Sequence, residues 1–146
     1  MVHRFSAFSL WLIFMGHTTS HAETQPAEPY PDANLYIFRE HAEPTAWAPT
    51  VKIDGKKIVA LGNKSYTAIH LAPGQYKITL NWPLMATQRS AGANVEIKEG
   101  SKTYLEVTGT SRYNGYYMWL GSGIGQAKPE LAQATIATCC KFKAPK

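Results

Sequence analysis

The side chains able to do acid, base, nucleophile or metal chemistry are few and far apart in this chain. Two histidines lie beyond the first 22 residues, His41 and His70, and the only cysteines, Cys139 and Cys140, are adjacent. A protein-bound metal wants three or four ligands at a recognisable spacing, and Glu40-His41-Ala42-Glu43 matches none. His70 stands between Ile69 and Leu71 in a strand-like run, where alternation points it outward. A catalytic serine needs a base beside it and a group to orient that base. Gly121-Ser122-Gly123 falls short of the Gly-x-Ser-x-Gly elbow. Gly121, Gly123 and Gly125 miss the dinucleotide fingerprint, with no βαβ unit around them. Glu96, Glu99 and Glu106 fall at outward or turn positions rather than as a working pair. The expectation is a protein without catalytic residues, metal or cofactor, and so not an enzyme.

The cysteine pair leaves three outcomes open: a strained ring between neighbours, a bridge to another chain, or two thiols. Ordinary disulfide geometry holds the Cα atoms about 4.4–6.8 Å apart, which adjacent residues meet poorly. Inert thiols near the terminus are the expected state.

What remains is recognition by aromatic and arginine side chains. Asn114-Gly115 is a strong hairpin dipeptide. A two-residue turn there sets Tyr113 against Tyr116, Arg112 against Tyr117 and Thr110 against Trp119. Alternation then places Leu105, Val107, Met118 and Leu120 on the core side, and Tyr104, Arg112, Tyr117 and Trp119 together on the other. Rings beside a guanidinium can stack on sugars or anchor a protein, where Tyr, Trp and Arg carry most of the binding energy. The competing expectation is that this face is covered by the C-terminal segment, because Leu131 and Ile136 need a surface to pack on. Two long loops, 39–49 and 83–92, offer Trp47 and Arg89 as plugs for a partner's cleft, as an inhibitor or immunity protein would use them.

These side chains must be positioned by strands. Leu35-Tyr36-Ile37-Phe38 is apolar on both faces, as in a strand covered on both sides. Val51-Lys52-Ile53 meets the Asp54-Gly55 turn and returns over Lys57–Leu61. Gly62-Asn63 turns into Tyr66–Leu71, with Thr67, Ile69 and Leu71 inward. Ala72-Pro73-Gly74 leads to Gln75–Trp82, where Tyr76, Ile78, Leu80 and Trp82 share a face until Pro83 ends the run. Ala93–Lys98, Ser101–Tyr113 and Tyr116–Leu120 complete the strands. Pro129–Cys140 reads as a short helix with proline in its first turn, or as a terminal strand. The fold class is all-β: an antiparallel sandwich of about seven or eight strands, closed by that C-terminal helix or strand.

The pattern Val51-Lys52-Ile53-Asp54-Gly55-Lys56, then Leu71-Ala72-Pro73-Gly74-Gln75-Tyr76-Lys77-Ile78, resembles PEGA-like domains and, more closely, the DUF2846 family of small exported bacterial proteins. Phe38-Arg39 matches the aromatic-Arg ending of that family's leading strand. The resemblance spans residues 33–111 and implies an Ig-like or transthyretin-like sandwich of the cell envelope with no known catalytic residues. Many relatives are lipoproteins, whereas this chain has no cysteine near its leader.

The leader is Arg4, an apolar run over 5–15 and the small-x-small ending Ser20-His21-Ala22. That is a signal peptide, and its apolar run is shorter than the ~20 residues a membrane span needs. Export to the periplasm or medium is expected, with no membrane insertion afterwards. A Pro-rich lead-in follows over 23–32, then a single domain over 33–146. With 45% hydrophobic, 12% aromatic and only 17% charged residues, the composition suits one packed core and excludes a disordered tail. Losing Arg4 lowers the formal charge of +5 by one, and no Lys/Arg cluster suggests nucleic acid. The partners expected are a protein or an envelope glycan.

Overall fold

The protein was analysed as a computed structural model that describes residues 30–86 and 88–146, apart from the side chain of Trp119. The expected leader at 1–22 and most of the lead-in at 23–32 lie outside the described residues.

Two sheets face each other. One has the order β8-β7-β1-β4-β9, built from β1 (Leu35–Arg39), β4 (Ser65–Ile69), β7 (Thr103–Tyr113), β8 (Met118–Gln126) and β9 (Lys141–Phe142). The other has the order β3-β2-β5-β6, from β2 (Thr50–Ile53), β3 (Lys56–Ala60), β5 (Gly74–Asn81) and β6 (Ala91–Ile97). Among the described residues a single α-helix, α1 (Pro129–Cys139), lies outside the first sheet. The chain is thus a β-sandwich with a short C-terminal helix. It departs from a purely antiparallel one, because β1 runs parallel to β7 and β4 parallel to β9. The short strand β9 exists because the chain leaving α1 returns along β4, where Lys141 and Lys143 donate backbone hydrogen bonds to Lys64 and Tyr66.

Alternation explains the two cores. Leu35 and Ile37 face the second sheet and pack with Val51, Ile53, Ile78, Leu80, Val95, Ile97, Leu105 and Val107. Tyr36 and Phe38, one residue out of phase, turn the other way and pack with Tyr66, Ala68, Tyr104 and Ala132 of α1. All five residues of β1 are therefore buried, as its apolar run foretold. At Asp54-Gly55 both residues have positive φ (47° and 82°), the primed turn that joins β2 to β3 with the twist the strands require.

The helix, not a terminal strand, takes residues 129–139. Pro129 starts it where a missing N–H costs nothing, and Cys140 donates its N–H to the Ile136 carbonyl at the end. Its inward stripe is Ala132 and Ile136, while Leu131 points to solvent. Cys139 and Cys140 are joined to each other as a vicinal disulfide, the ring that the geometry of ordinary disulfides disfavoured. Cys140 packs on the core under the helix.

Among the described residues, three buried side-chain polar atoms have no hydrogen-bond partner: Arg39 Nε, Gln88 Oε1 and Thr67 Oγ1. The Thr67 hydroxyl lies in the main core without a hydrogen-bond partner. Thr67→Val keeps the shape and removes that unmet polar atom. It is expected to raise stability by about 1 kcal/mol, measured by urea unfolding with an unchanged slope.

Candidate functional site

The site is one end of the sandwich, and it begins with Arg39. On the same side of β1 as Leu35 and Ile37, this residue continues the core face at the strand's last position and is fully buried. Its guanidinium donates to four backbone carbonyls: Trp47 at 2.8 Å, Leu61 at 3.1 Å, Ala42 at 2.6 Å and Pro44 at 2.8 Å. It also lies 5.0 Å from the centre of the Trp82 ring, which places the cation on the π face. Burial pushes the Arg39 pKa below the usual arginine value, and nearby Glu43 partly opposes the shift. One side chain thereby ties the 40–49 loop to the end of β3 and to the residue after β5. Asn63 adds a further tie, accepting from the Ala42 N–H.

Loop 40–49 and the segment from Trp82 to Ser90 then support the hairpin of β7 and β8. Only Thr103–Glu106 of β7 pair with β1, so from Val107 to Tyr113 this strand has β8 alone as neighbour. The result is a two-stranded ribbon about 20 Å long at the usual rise per residue. Such a ribbon is marginal on its own, and three contacts hold its base. The backbone of Glu43 lies directly on Gly109, where a Cβ would overlap the Glu43 carbonyl oxygen and sit 2.7 Å from its nitrogen. The Gln88 amide donates to the carbonyls of both Glu43 (3.1 Å) and Gly121 (2.9 Å). The Trp82 indole donates to Ser122 Oγ at 2.9 Å.

The ribbon's turn corrects the expected pairing. Tyr113 faces Met118 and Arg112 faces Trp119, two residues away from the register of a two-residue turn. The cause is Asn114, whose side-chain oxygen accepts the N–H groups of Tyr116 (3.1 Å) and Tyr117 (2.8 Å), while its own N–H bonds the Tyr117 carbonyl. This makes a four-residue Asx-type turn. A shift of two preserves the faces, so Met118 and Leu120 keep the side of Leu105 and Val107.

The six residues singled out as binding candidates part company. Tyr104 is buried: it stacks on Tyr36 (centroids 4.9 Å apart), accepts a hydrogen bond from Gln133 of α1, and belongs to the core beneath the helix. The helix covers that end of the face and stops short of the ribbon. Arg112 and Tyr117 are exposed on the ribbon. Trp119 occupies the register position opposite Arg112, and its side chain lies outside the described ones. Trp47 and Arg89, from the two loops, are exposed at the same end of the sandwich. Loop 83–92 proves shorter and partly ordered, with a 3-10 turn at Leu84–Ala86 and β6 already beginning at Ala91.

Residues not singled out from sequence complete the surface. Leu84 is 96% exposed and Met85 76%, and on the ribbon Tyr116 reaches 87%, beside Tyr113 and Met118. The signal for Leu84 and Met85 was available, since two large apolar residues after Pro83 sit in a segment that a turn would fill with polar ones. Gln88 and Gly109 act through contacts distant in sequence and left no such mark, while Arg39 was marked only as the aromatic-Arg ending of the leading strand.

Histidine and carboxylate chemistry is thin here. His41 Nε2 lies 4.0 Å from Glu43 Oε1 in an exposed pair, and His70 bonds the Asp32 carbonyl from the surface. Among the described residues, no three His, Cys, Asp or Glu are placed to hold a metal ion, and no helix is long and apolar enough to cross a membrane.

Comparison with curated proteins and with solved structures returns no match. A family match covers residues 30–118, from the residue before the first turn through β7 and the Asx turn to the first residue of β8. This is the span that contains Arg39, both supporting loops and the ribbon tip, and by it the chain belongs to the family described as "Protein of unknown function (DUF2846)".

Proposed function

We propose that this protein is a non-enzymatic binding module of the cell envelope, exported by its leader, which docks a protein partner on the loop end of its sandwich. The observation that carries the reading is the tip surface. Tyr113, Tyr116, Tyr117 and Met118 stand in water on a ribbon whose base is held by half-buried hydrogen bonds, with Leu84 and Met85 at the same end. Large exposed apolar groups cost nothing useful on a free monomer, and their grouping at one place marks an interaction site. Aromatic, methionine and arginine side chains are those enriched in protein interfaces. Leu84 and Met85 offer nothing for sugar stacking, which favours a polypeptide over a glycan.

Charge narrows the partner. Arg89 and Arg112 are the ionised side chains of the 82–90 segment and the ribbon, whereas Glu43 is engaged by the Thr45 N–H. An acidic, apolar-centred face on the partner complements this end. An enzyme mouth of that character would make the module an inhibitor or immunity protein.

The test is photo-crosslinking in envelope fractions from a probe at position 85, repeated with Tyr116→Ala and Tyr117→Ala. The double variant is expected to keep its melting temperature, because surface truncations fall within about 0.5 kcal/mol. It is expected to lose the crosslinked partner by tenfold or more, as central aromatic anchors contribute about 2 kcal/mol or more. Undiminished capture rejects the loop end as the docking surface. Capture replaced by binding to glycan fragments assigns the Tyr117 and Arg112 face to sugar instead.

A further inference from the structure

We infer that β8 is a self-pairing edge, through which two copies of this chain join their five-stranded sheets about a two-fold axis at Ser122. This goes beyond the docking end, using the flank of the sandwich and sharing with the tip only Met118, the first residue of β8.

The sheets have four edge strands, and three carry the devices that keep edges apart. Strand β3 has Lys56 and Lys57 and receives a backbone hydrogen bond from the Lys146 N–H. Strand β9 is two residues long and begins with Lys141. Strand β6 carries Glu96. Strand β8 is nine residues, Met-Trp-Leu-Gly-Ser-Gly-Ile-Gly-Gln, with no charge and no proline. Its register with β7 is unbroken from Gln126 to Met118, so no bulge turns it away. A long, neutral, regular edge of this kind is a template for another strand.

The outward groups can be identified. The Ala127 N–H bonds the Tyr104 carbonyl and the Asn114 N–H bonds the Tyr117 carbonyl, so the odd residues of β8 direct their backbone groups toward β7. The even residues, Met118, Leu120, Ser122, Ile124 and Gln126, then direct theirs away from the sheet. An antiparallel partner centred on Ser122 pairs Ser122 with its own copy, Leu120 with Ile124 and Met118 with Gln126. Each is a pair in which both residues point to the other, and together they give roughly ten main-chain hydrogen bonds. The side chains agree with this register. Leu120 and Ile124 are half-buried apolar residues on the core side, and the two-fold makes them neighbours twice. Met118, exposed in one copy, arrives beside Gln126 of the other, at the rim of a largely polar cleft of about 230 Å³ lined also by Ala93, Asn94, Val95, Glu96, Lys98 and Leu105. Strand β8 itself brings no charge to the seam.

Sedimentation across a wide concentration range tests the wild-type protein first, with a dimer expected. Leu120→Lys places an ammonium against Ile124 of the other copy and is expected to weaken the dimer at least roughly tenfold. Ser122→Cys brings two thiols together on the axis with Cα atoms about 5.5 Å apart, inside disulfide range. A covalent dimer on a non-reducing gel is expected, and Thr108→Cys, one strand inward, is expected to give none. Because Cys139 and Cys140 are bonded to each other, no other described thiol competes. A monomer at every concentration, or a folded Leu120→Lys that dimerises as well as wild type, overturns the inference. Ser122→Cys alters the Trp82 acceptor at the ribbon's base, so partner capture is compared in Leu120→Lys, which leaves Tyr116, Tyr117, Met85 and that hydrogen bond in place, and capture at the loop end would survive that failure.

Discussion

Arg39→Met is expected to lower the folding stability by about 3–5 kcal/mol, the range for removing one partner from a buried charged network. At about 4 °C per kcal/mol, calorimetry should show a melting temperature lower by roughly 10–20 °C. Methionine fills most of the volume beside Trp82, so the loss does not come from a cavity. It comes from the carbonyls of Ala42, Pro44, Trp47 and Leu61, which lose their shared donor. Each buried acceptor left unpaired costs about 1–3 kcal/mol, and the 40–49 loop can recover part of that only by opening to water. Arg39→Lys separates charge from geometry. An ammonium carries three donors on one atom and cannot span four acceptors, so lysine is expected to recover less than half of the loss. A lysine variant as stable as wild type would show that charge alone matters there. Hydrogen exchange should place the opening in residues 40–49 and the ribbon rather than in β2 or β5.

Gly109→Ala is expected to cost about 1–3 kcal/mol by overpacking, and to detach the ribbon from its support. The added methyl meets the Glu43 backbone, which cannot swing aside as a flexible side chain would. Either Glu43 retreats, breaking the Gln88 bridge to Gly121, or the ribbon bends away. Both routes expose residues 109–121 to exchange, and both should reduce partner capture although Tyr116 and Tyr117 are untouched. Gly125→Ala is the matched control, since open space surrounds that Cβ and no loss is expected. If Gly109→Ala and Gly125→Ala behave alike, the ribbon does not depend on the 40–49 loop.

These two residues show where reading the chain succeeds and stops. Strands governed by local rules were legible: the Asp54-Gly55 turn, the alternation of Tyr76, Ile78 and Leu80, and the doubly apolar β1 all stand where expected. The hairpin tip was half legible. Asn114 marked the turn, yet its side chain competed for the Tyr116 and Tyr117 amides and enlarged it by two residues. The helix was one of two readings left open for 129–140, and its inward face turns on which of Leu131 and Ala132 meets Tyr104, a tertiary choice that the weak apolar stripe does not encode. For the same reason Tyr104 was grouped with Arg112 and Tyr117: alternation sets the face correctly but not how far the helix extends over it. Arg39 was visible only as an odd ending to an apolar strand. Its four acceptors come from the loop and from Leu61, and backbone carbonyls have no residue-type signature.

The last residues of the chain bear on how far association can go. They lie along β4 and reach the Ile58 carbonyl on β3, so one side of both layers is covered by residues 141–146. Only the opposite side keeps a long strand to share. A pair formed there has no second joining strand to offer, and growth into fibres is blocked at its first step. Concentrated protein should stay clear.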